Sequence, residues 1–298
     1  MLKTFDELLK TAKEKERRTV AVAVAQDREV LRAVGTAYKY GIIEGILVGD
    51  KLEIEAIATE IDLDLTKFQI IHTIAKEEAC RKAVELVRNG KADLLMKGFV
   101  DTALVLKAVL DKNRGLKIVS LLSHVGVLKV RGFDRLFIQS DSAINIAPTL
   151  EQMVKIIMNA VRVAHALGNN LPKVAVVCAV EKVSPKMQAS VEAAELTKMN
   201  EQGVIGGCIV KGPLALDNAV SAEAARHKGI NHPVAGNADV LITSNIEAGN
   251  ILNKAMEYFG RAEKAGIIMG ASAPIILTSR ASSEDSKLNS IALGVLLS

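Results

Sequence analysis

The stretch TVAVAVAQDREVLRAVGTAYKYGIIEGILVGD, residues 19–50, decides the fold class. Residues 20–25 form an unbroken apolar run of strand length, residues 29–40 show the spacing of an amphipathic helix, and residues 45–48 are apolar again. That order is strand, helix, strand. Strands without polar alternation are buried on both faces, which is the condition of a parallel sheet covered by helices.

Working outward, the same alternation continues on both sides. Further strands are expected at 69–72, 93–96, 117–122 and 136–138, with helices at 51–61, 76–89 and 102–110 between them. The pattern restarts after Pro148, with a helix at 150–166, strands at 174–179, 204–210, 240–242, 266–269 and 275–278, and helices at 185–199, 219–228 and 249–259. Two α/β halves follow. The halves are expected to join tightly near residues 139–148, because no Gly/Ser-rich or Pro-rich linker divides them. A last helix, 283–297, is left over and is expected to pack back on the first half. The expected domains are therefore 1–138 plus 281–298, discontinuous, and 139–280, with ligands bound at the seam.

Composition agrees with that class and excludes others. Of 298 residues, 49% are hydrophobic, yet there is no Trp and only three Tyr and six Phe, so the core is aliphatic and base stacking has little to work with. A formal charge of +4, spread along the chain, calls for neither a nucleic-acid nor a membrane-surface partner. Cys80, Cys178 and Cys208 are far apart and include no C-x-x-C pair, so neither a metal nor a disulfide framework is expected, and the compartment is expected to be the reducing cytoplasm. The N-terminal segment is a charged amphipathic helix without the apolar core of a signal peptide.

The chemistry concentrates in APIILTSRASSEDSK, residues 273–287, where an apolar run empties into Ser279 and Arg280 and two more hydroxyls, Ser282 and Ser283, open a helix. Exposed N–H groups and the positive helix pole gather at such a junction and favour a phosphate or a developing oxyanion. The alternative is a capped helix whose first turn is neutralised by Glu284 and Asp285. Polar residues recur where other strands are expected to end: Lys97, Gly98 and Thr102 in MKGFVDT; Ser123 and His124 in LSHVG; Asp141 and Asn145 in QSDSAINIAPT; Asn245, Glu247, Gly249 and Asn250 in TSNIEAGN. In open α/β sheets ligands lie outside the carboxyl ends of strands, where such loops collect. Each loop also has a structural reading, such as the Thr149/Gln152 capping box, and Lys97 can either hold a phosphate or snorkel to solvent. No dinucleotide loop, Walker loop, H-E-x-x-H site or nucleophile elbow is present.

The segments LLMKGFVDT, SDSAINIAPTLEQ, ADVLITSNIEAGNILNK and APIILTSRASSEDSKLNSIALG, in this order, resemble the phosphate acetyl/butyryltransferase family over essentially the whole chain. The TSRAxS form and the NIEAGNIL block are more similar to its butyryl-transferring branch than to its acetyl-transferring one. The resemblance implies reversible transfer of a short acyl group between coenzyme A and inorganic phosphate, without a covalent enzyme intermediate or a permanent cofactor. It also implies two α/β domains similar to those of isocitrate and isopropylmalate dehydrogenases, an interdomain active-site cleft, and a homodimer formed through the second domain. Ser279 and Arg280 match the family's oxyanion and phosphate residues. The family's aspartate, seven residues after that serine, is Ser286 here in an ungapped count, so the expectation is that Glu284 or Asp285 serves as the base or that the substrate thiol, near ~8.5 when unperturbed, ionises through the local positive field alone. A hydroxy-acid dehydrogenase and a non-catalytic acyl-CoA or acyl-phosphate sensor are the rival readings.

Overall fold

The computed structural model describes all 298 residues and divides into two compact units. The N-terminal unit comprises Phe5–Ser120 and Ala265–Ser298, and the central unit comprises Met1–Thr4 and Leu121–Lys264. In chain order the elements are α1 (Phe5–Lys13), β1 (Arg18–Ala23), α2 (Arg28–Lys39), β2 (Ile43–Gly49), α3 (Lys51–Glu60), β3 (Gln69–His72), α4 (Lys76–Arg88), β4 (Leu94–Lys97) and α5 (Thr102–Val109). There follow β5 (Ile118–Lys129), β6 (Phe137–Ser140), α6 (Leu150–Ala166), β7 (Lys173–Val177), α7 (Gln188–Glu201), β8 (Ile209–Leu214), α8 (Leu216–Val220) and α9 (Ala222–His227). The chain ends with β9 (Val240–Thr243), α10 (Ile246–Tyr258), β10 (Glu263–Ala271), β11 (Ile275–Ile276) and α11 (Glu284–Leu297).

Strand order within the N-terminal unit is β3-β2-β1-β4-β11-β10. The first five strands are parallel and β10 is antiparallel to β11, so the sheet is mixed. Residues Val20–Ala23 of β1 and all of β4 are buried, as their uninterrupted apolar sequence requires. Chain order reverses between β1 and β4, whose register pairs Ala23 with Lys97. A crevice opens outside the carboxyl ends of strands at such a switch point, and ligands of doubly wound sheets bind there. The terminal helix α11 packs on α1, α2, β4 and β11 and is buried from Ser286 to Val295, which explains why its sequence has no polar stripe.

Within the central unit the order is β5-β6-β9-β7-β8, with β5 antiparallel to β6 and the remaining pairs parallel. Its core includes Phe137, Ala175, Leu214, Val234 and Leu241.

Several sequence expectations shift. The division between units falls at residues 120/121 and 264/265, not at 138/139 and 280/281. The β5–β6 ladder, with Gly126 opposite Gln139, pairs the two strands within the central unit. Strand β5 runs on to Lys129, which places Ser123 and His124 inside a strand and not in a loop at its end. Residues 204–208 are not strand: they wrap the Asn200 amide, which donates to Ile205 O at 2.7 Å and Cys208 O at 3.0 Å, and the strand begins at Ile209. It then continues through Pro213, which an edge position tolerates. The helix expected at 219–228 is two short helices, interrupted at Ser221, whose extended backbone and hydroxyl cap α9 through Ala224 N at 3.3 Å.

Candidate active site

At the carboxyl edge of the N-terminal sheet, β4 delivers Lys97 and Gly98 beside the end of β1. Gly98 N donates to Ala23 O and Phe99 N to Val24 O, each at 2.9 Å. A Cβ on Gly98 would stand 2.1 Å from Val24 O, so only glycine permits this approach. Val24 itself has φ 59°, a left-handed conformation that a β-branched residue holds only under compulsion. The backbone at this crevice is thus held tightly from both strands.

Three cations meet in this region. Lys97 is 3% exposed and donates to two main-chain carbonyls, Gly98 O at 3.3 Å and Val100 O at 3.1 Å. Lys287, one turn inside α11 and 2% exposed, donates to Ser282 O. Arg280 is half exposed, pairs with Asp101 and lies over the Phe99 ring with its Cζ 5.7 Å from the centroid. Lys76 approaches the same ring, with Nζ at 5.4 Å. Burial, followed by the Arg280 and Lys287 charges, pushes the Lys97 ammonium down to about 8, against the opposing pull of Asp101 and Asp27.

Unpartnered polar atoms mark the same edge. In the N-terminal unit the buried side-chain atoms without a hydrogen-bond partner are Gln26 Oε1, Thr73 Oγ1 and Ser282 Oγ, which follow β1, β3 and β11 respectively. A buried hydroxyl left unpaired costs about 1–3 kcal/mol. Lys97, for its part, is a buried lysine with no carboxylate within ion-pair reach.

The other residues expected on this unit lie on the segments that follow β4 and β11. Ser279 is exposed directly before Arg280, and Thr102 opens α5, whose N-cap Asp101 makes no side-chain cap bond and so is free to meet the guanidinium. Ser283 caps α11 by accepting from Ser286 N at 3.3 Å and donates to Ser286 Oγ at 3.1 Å. Glu284 accepts from Thr36 Oγ1 of α2 at 2.9 Å and lines a separate cavity of about 210 Å³ with Arg32 and Lys39. Asp285 is exposed in the first turn of α11.

Asp101 and Lys287 were missed by sequence reasoning, as were the aromatic plate Phe99 and its second cation Lys76. A helical count puts Lys287 four residues after Ser283 and so on the same face of the helix, and that was the available signal.

The residues expected on the central unit form a second group. Asp141 accepts from Ala143 N at 2.9 Å, Ile144 N and Asn145 N at 3.2 Å, and Asn145 Nδ2 at 2.6 Å. Asn145 Nδ2 also reaches Leu122 O at 2.9 Å. His124 is buried and shares a 2.9 Å hydrogen bond between Nδ1 and Ser142 Oγ. Burial holds its imidazole below the usual range, with Asp141 opposing and Lys264 reinforcing that shift. Ser123 Oγ accepts from Asn159 Nδ2 at 2.8 Å.

Around α10, Asn245 caps the helix through Ala248 N at 2.9 Å, Asn250 Nδ2 donates to Ser142 O at 3.1 Å, and Glu247 is exposed. A Cβ on Gly249 would stand 2.1 Å from Asp141 O, so that glycine sets how closely α10 meets the β6 loop. Most of these polar groups are satisfied inside their own unit, which makes them a scaffold for the loops. Beside them, Val177, Cys178, Met187, Leu216, Thr243 and Leu252 line a largely apolar cavity of about 380 Å³.

Comparison with known proteins adds the following. The family described as Phosphate acetyl/butaryl transferase matches residues 3–80 and 72–295. The phosphate butyryltransferase of Clostridium acetobutylicum is 49% identical over 297 residues, covering 100% of this chain and 99% of that protein. A phosphate acetyltransferase of Thermotoga maritima is 46% identical over 292 residues, covering 98% of this chain and 99% of the relative. Among solved structures, a branched-chain phosphotransacylase from Enterococcus faecalis superposes with a TM-score of 0.83 at 34% identity, covering 94% of this chain and 98% of that one.

Proposed function

Because the chain belongs to the phosphate acetyl/butyryltransferase family and is an acyltransferase, we propose that it is a phosphate butyryltransferase, converting butyryl-CoA and phosphate reversibly to butyryl phosphate and CoA. The observation that carries this reading is the cluster of Lys97, Arg280 and Lys287, the last bonded to the main chain of Ser282, whose buried hydroxyl has no partner. Arg280 offers a planar fork to phosphate, and Ser279 donates to the oxyanion formed when the carbonyl is attacked. Transfer is direct, in a ternary complex, with CoA and phosphate as substrates and no resident cofactor.

The enzyme works in the cytoplasm as a homodimer and has the two-domain architecture of the isocitrate and isopropylmalate dehydrogenases. The polar loops of the central unit, with Asn245, Glu247, Gly249 and Asn250 at the head of α10, shape the CoA-binding side. No helix is long and apolar enough to cross a membrane.

Similarity to the Thermotoga maritima acetyltransferase keeps acetyl transfer as the second reading. One assay tests both: thiol release from acetyl-, butyryl- and branched acyl-CoA, with and without phosphate. Phosphate-dependent release fastest with butyryl-CoA is the expected result. Release fastest with acetyl-CoA selects the second reading, and binding without turnover replaces both with a sensor.

A further inference from the structure

We propose that Lys97 is the proton carrier of the acyl transfer, taking a proton from the attacking group and returning it to the leaving group. The proposal rests on the transferase reading above and adds the base that this reading lacks. Glu284 is engaged with Thr36 in another cavity, and position 286 is a serine that caps with Ser283. A carboxylate in water titrates near ~4 and is a weak acceptor for a thiol near ~8.5.

Lys97 has the opposite qualities. It ends β4 at the switch point, inside the cation cluster, and its ammonium is held only by the carbonyls of Gly98 and Val100. The charged and titratable groups facing it are Arg280 and Lys287 from the β11–α11 segment, Asp101 from the loop after β4, Asp27 from the start of α2, and Cys80 on α4. Burial and two positive charges favour the free amine, and two carboxylates with smaller effects favour the ammonium. The resulting value of about 8 stands close to that of an ordinary thiol, where proton exchange costs least in either direction.

The step balances. From acyl phosphate, the thiol proton passes to the Lys97 amine while sulfur forms its bond to the acyl carbon. The tetrahedral oxyanion then collapses, the carbon–oxygen bond to phosphate breaks, and the ammonium returns the proton to the departing phosphate oxygen as hydrogen phosphate. In reverse, the amine accepts the phosphate hydroxyl proton and delivers it to the departing thiolate. Each direction begins with the free amine, so both rise with pH through the same inflection. Arriving phosphate favours the ammonium and so assists acceptance of the proton.

The experiment compares wild type with Lys97→Arg, which keeps the positive charge but stays protonated throughout the accessible range. The kcat/KM of wild type is expected to rise through an inflection near 8 in both directions. In the variant the inflection disappears and kcat falls ~10²–10⁴-fold, while KM for phosphate stays within a few-fold. Equal rates and an unchanged profile in Lys97→Arg overturn the proton role and leave the transferase intact. A wild type without phosphate-dependent thiol release removes both readings.

If circular dichroism shows Lys97→Arg to be unfolded, wild type alone decides. Heating lowers the pKa of an amine steeply and leaves that of a carboxylate nearly fixed. Measured with acyl-CoA and phosphate, where no thiol is a substrate and the phosphate pKa is nearly fixed, an inflection that moves down on heating supports Lys97, and one that stays in place overturns it.

Discussion

Arg280 and Asp101, 179 positions apart in sequence, form an ion pair at the carboxyl edge of the N-terminal sheet. The aspartate takes one arm of the guanidinium proposed above to hold phosphate, and on that reading substrate and side chain compete for it. Both partners are largely exposed, and such a pair is worth only about 0–1 kcal/mol. Asp101→Asn is therefore expected to lower KM for phosphate by at most ~5-fold at low ionic strength, and the difference should vanish in high salt. Steady-state kinetics at two salt concentrations measures this.

Arg280→Lys keeps the charge and loses the two parallel N–H donors. A fall of ~10²-fold in kcat/KM is expected, the scale of losing one transition-state donor. Because the side chain is half exposed, the free energy of unfolding should change by no more than ~0.5 kcal/mol. Urea titration beside the rate assay separates the two effects.

Gly98→Ala acts on the backbone of the same crevice. The added carbon would meet the Val24 carbonyl at 2.1 Å, and neither strand can yield without moving Lys97. Destabilisation of ~1–3 kcal/mol is expected, with a loss of activity larger than unfolding at assay temperature explains. Denaturant midpoints and initial rates on one preparation check it.

His124 governs the acid side of stability in the central unit. Its folded pKa lies below the unfolded value, so folding keeps it neutral, and its contribution is present above ~6.5 and lost as pH falls below that value. The urea midpoint of wild type should fall between pH 7 and pH 5. His124→Leu should be less stable at pH 7 and show a shallower decline toward pH 5, His232 retaining part of the limb because burial lowers its pKa too. An equal slope in both proteins removes His124 as the cause.

Much of the fold was legible because aliphatic runs and helical spacing report burial directly. The 19–50 stretch reads as β1, α2 and β2 because both faces of each strand are apolar and Asp27 caps the helix by accepting from Val30 N at 2.9 Å. Strand β5 was cut short because SHVG breaks the apolar pattern, although Ser123 and His124 are each satisfied by a buried partner from another segment. Such partners cannot be read locally. The site was legible where its residues share a segment, as in Ser279, Arg280 and Ser282, and illegible where it depends on pairing across the sheet. Asp101 carries no signal in its own segment, and its partner Arg280 comes from the far end of the chain. Likewise Lys97 read equally well as a solvent-seeking lysine, because nothing in MKGFVDT shows that two further cations lie close by.

Helix α11 begins at Glu284 and is buried over most of its length in a unit whose first strand begins at Arg18, which orders the birth of the protein. On the ribosome every residue of the central unit is made before α11, whereas the N-terminal unit waits with β4 and α2 uncovered until α11 emerges. A stalled or prematurely stopped chain therefore displays the apolar wall that α11 would have sealed, and becomes a target for chaperones and proteases even when only its final two turns are missing.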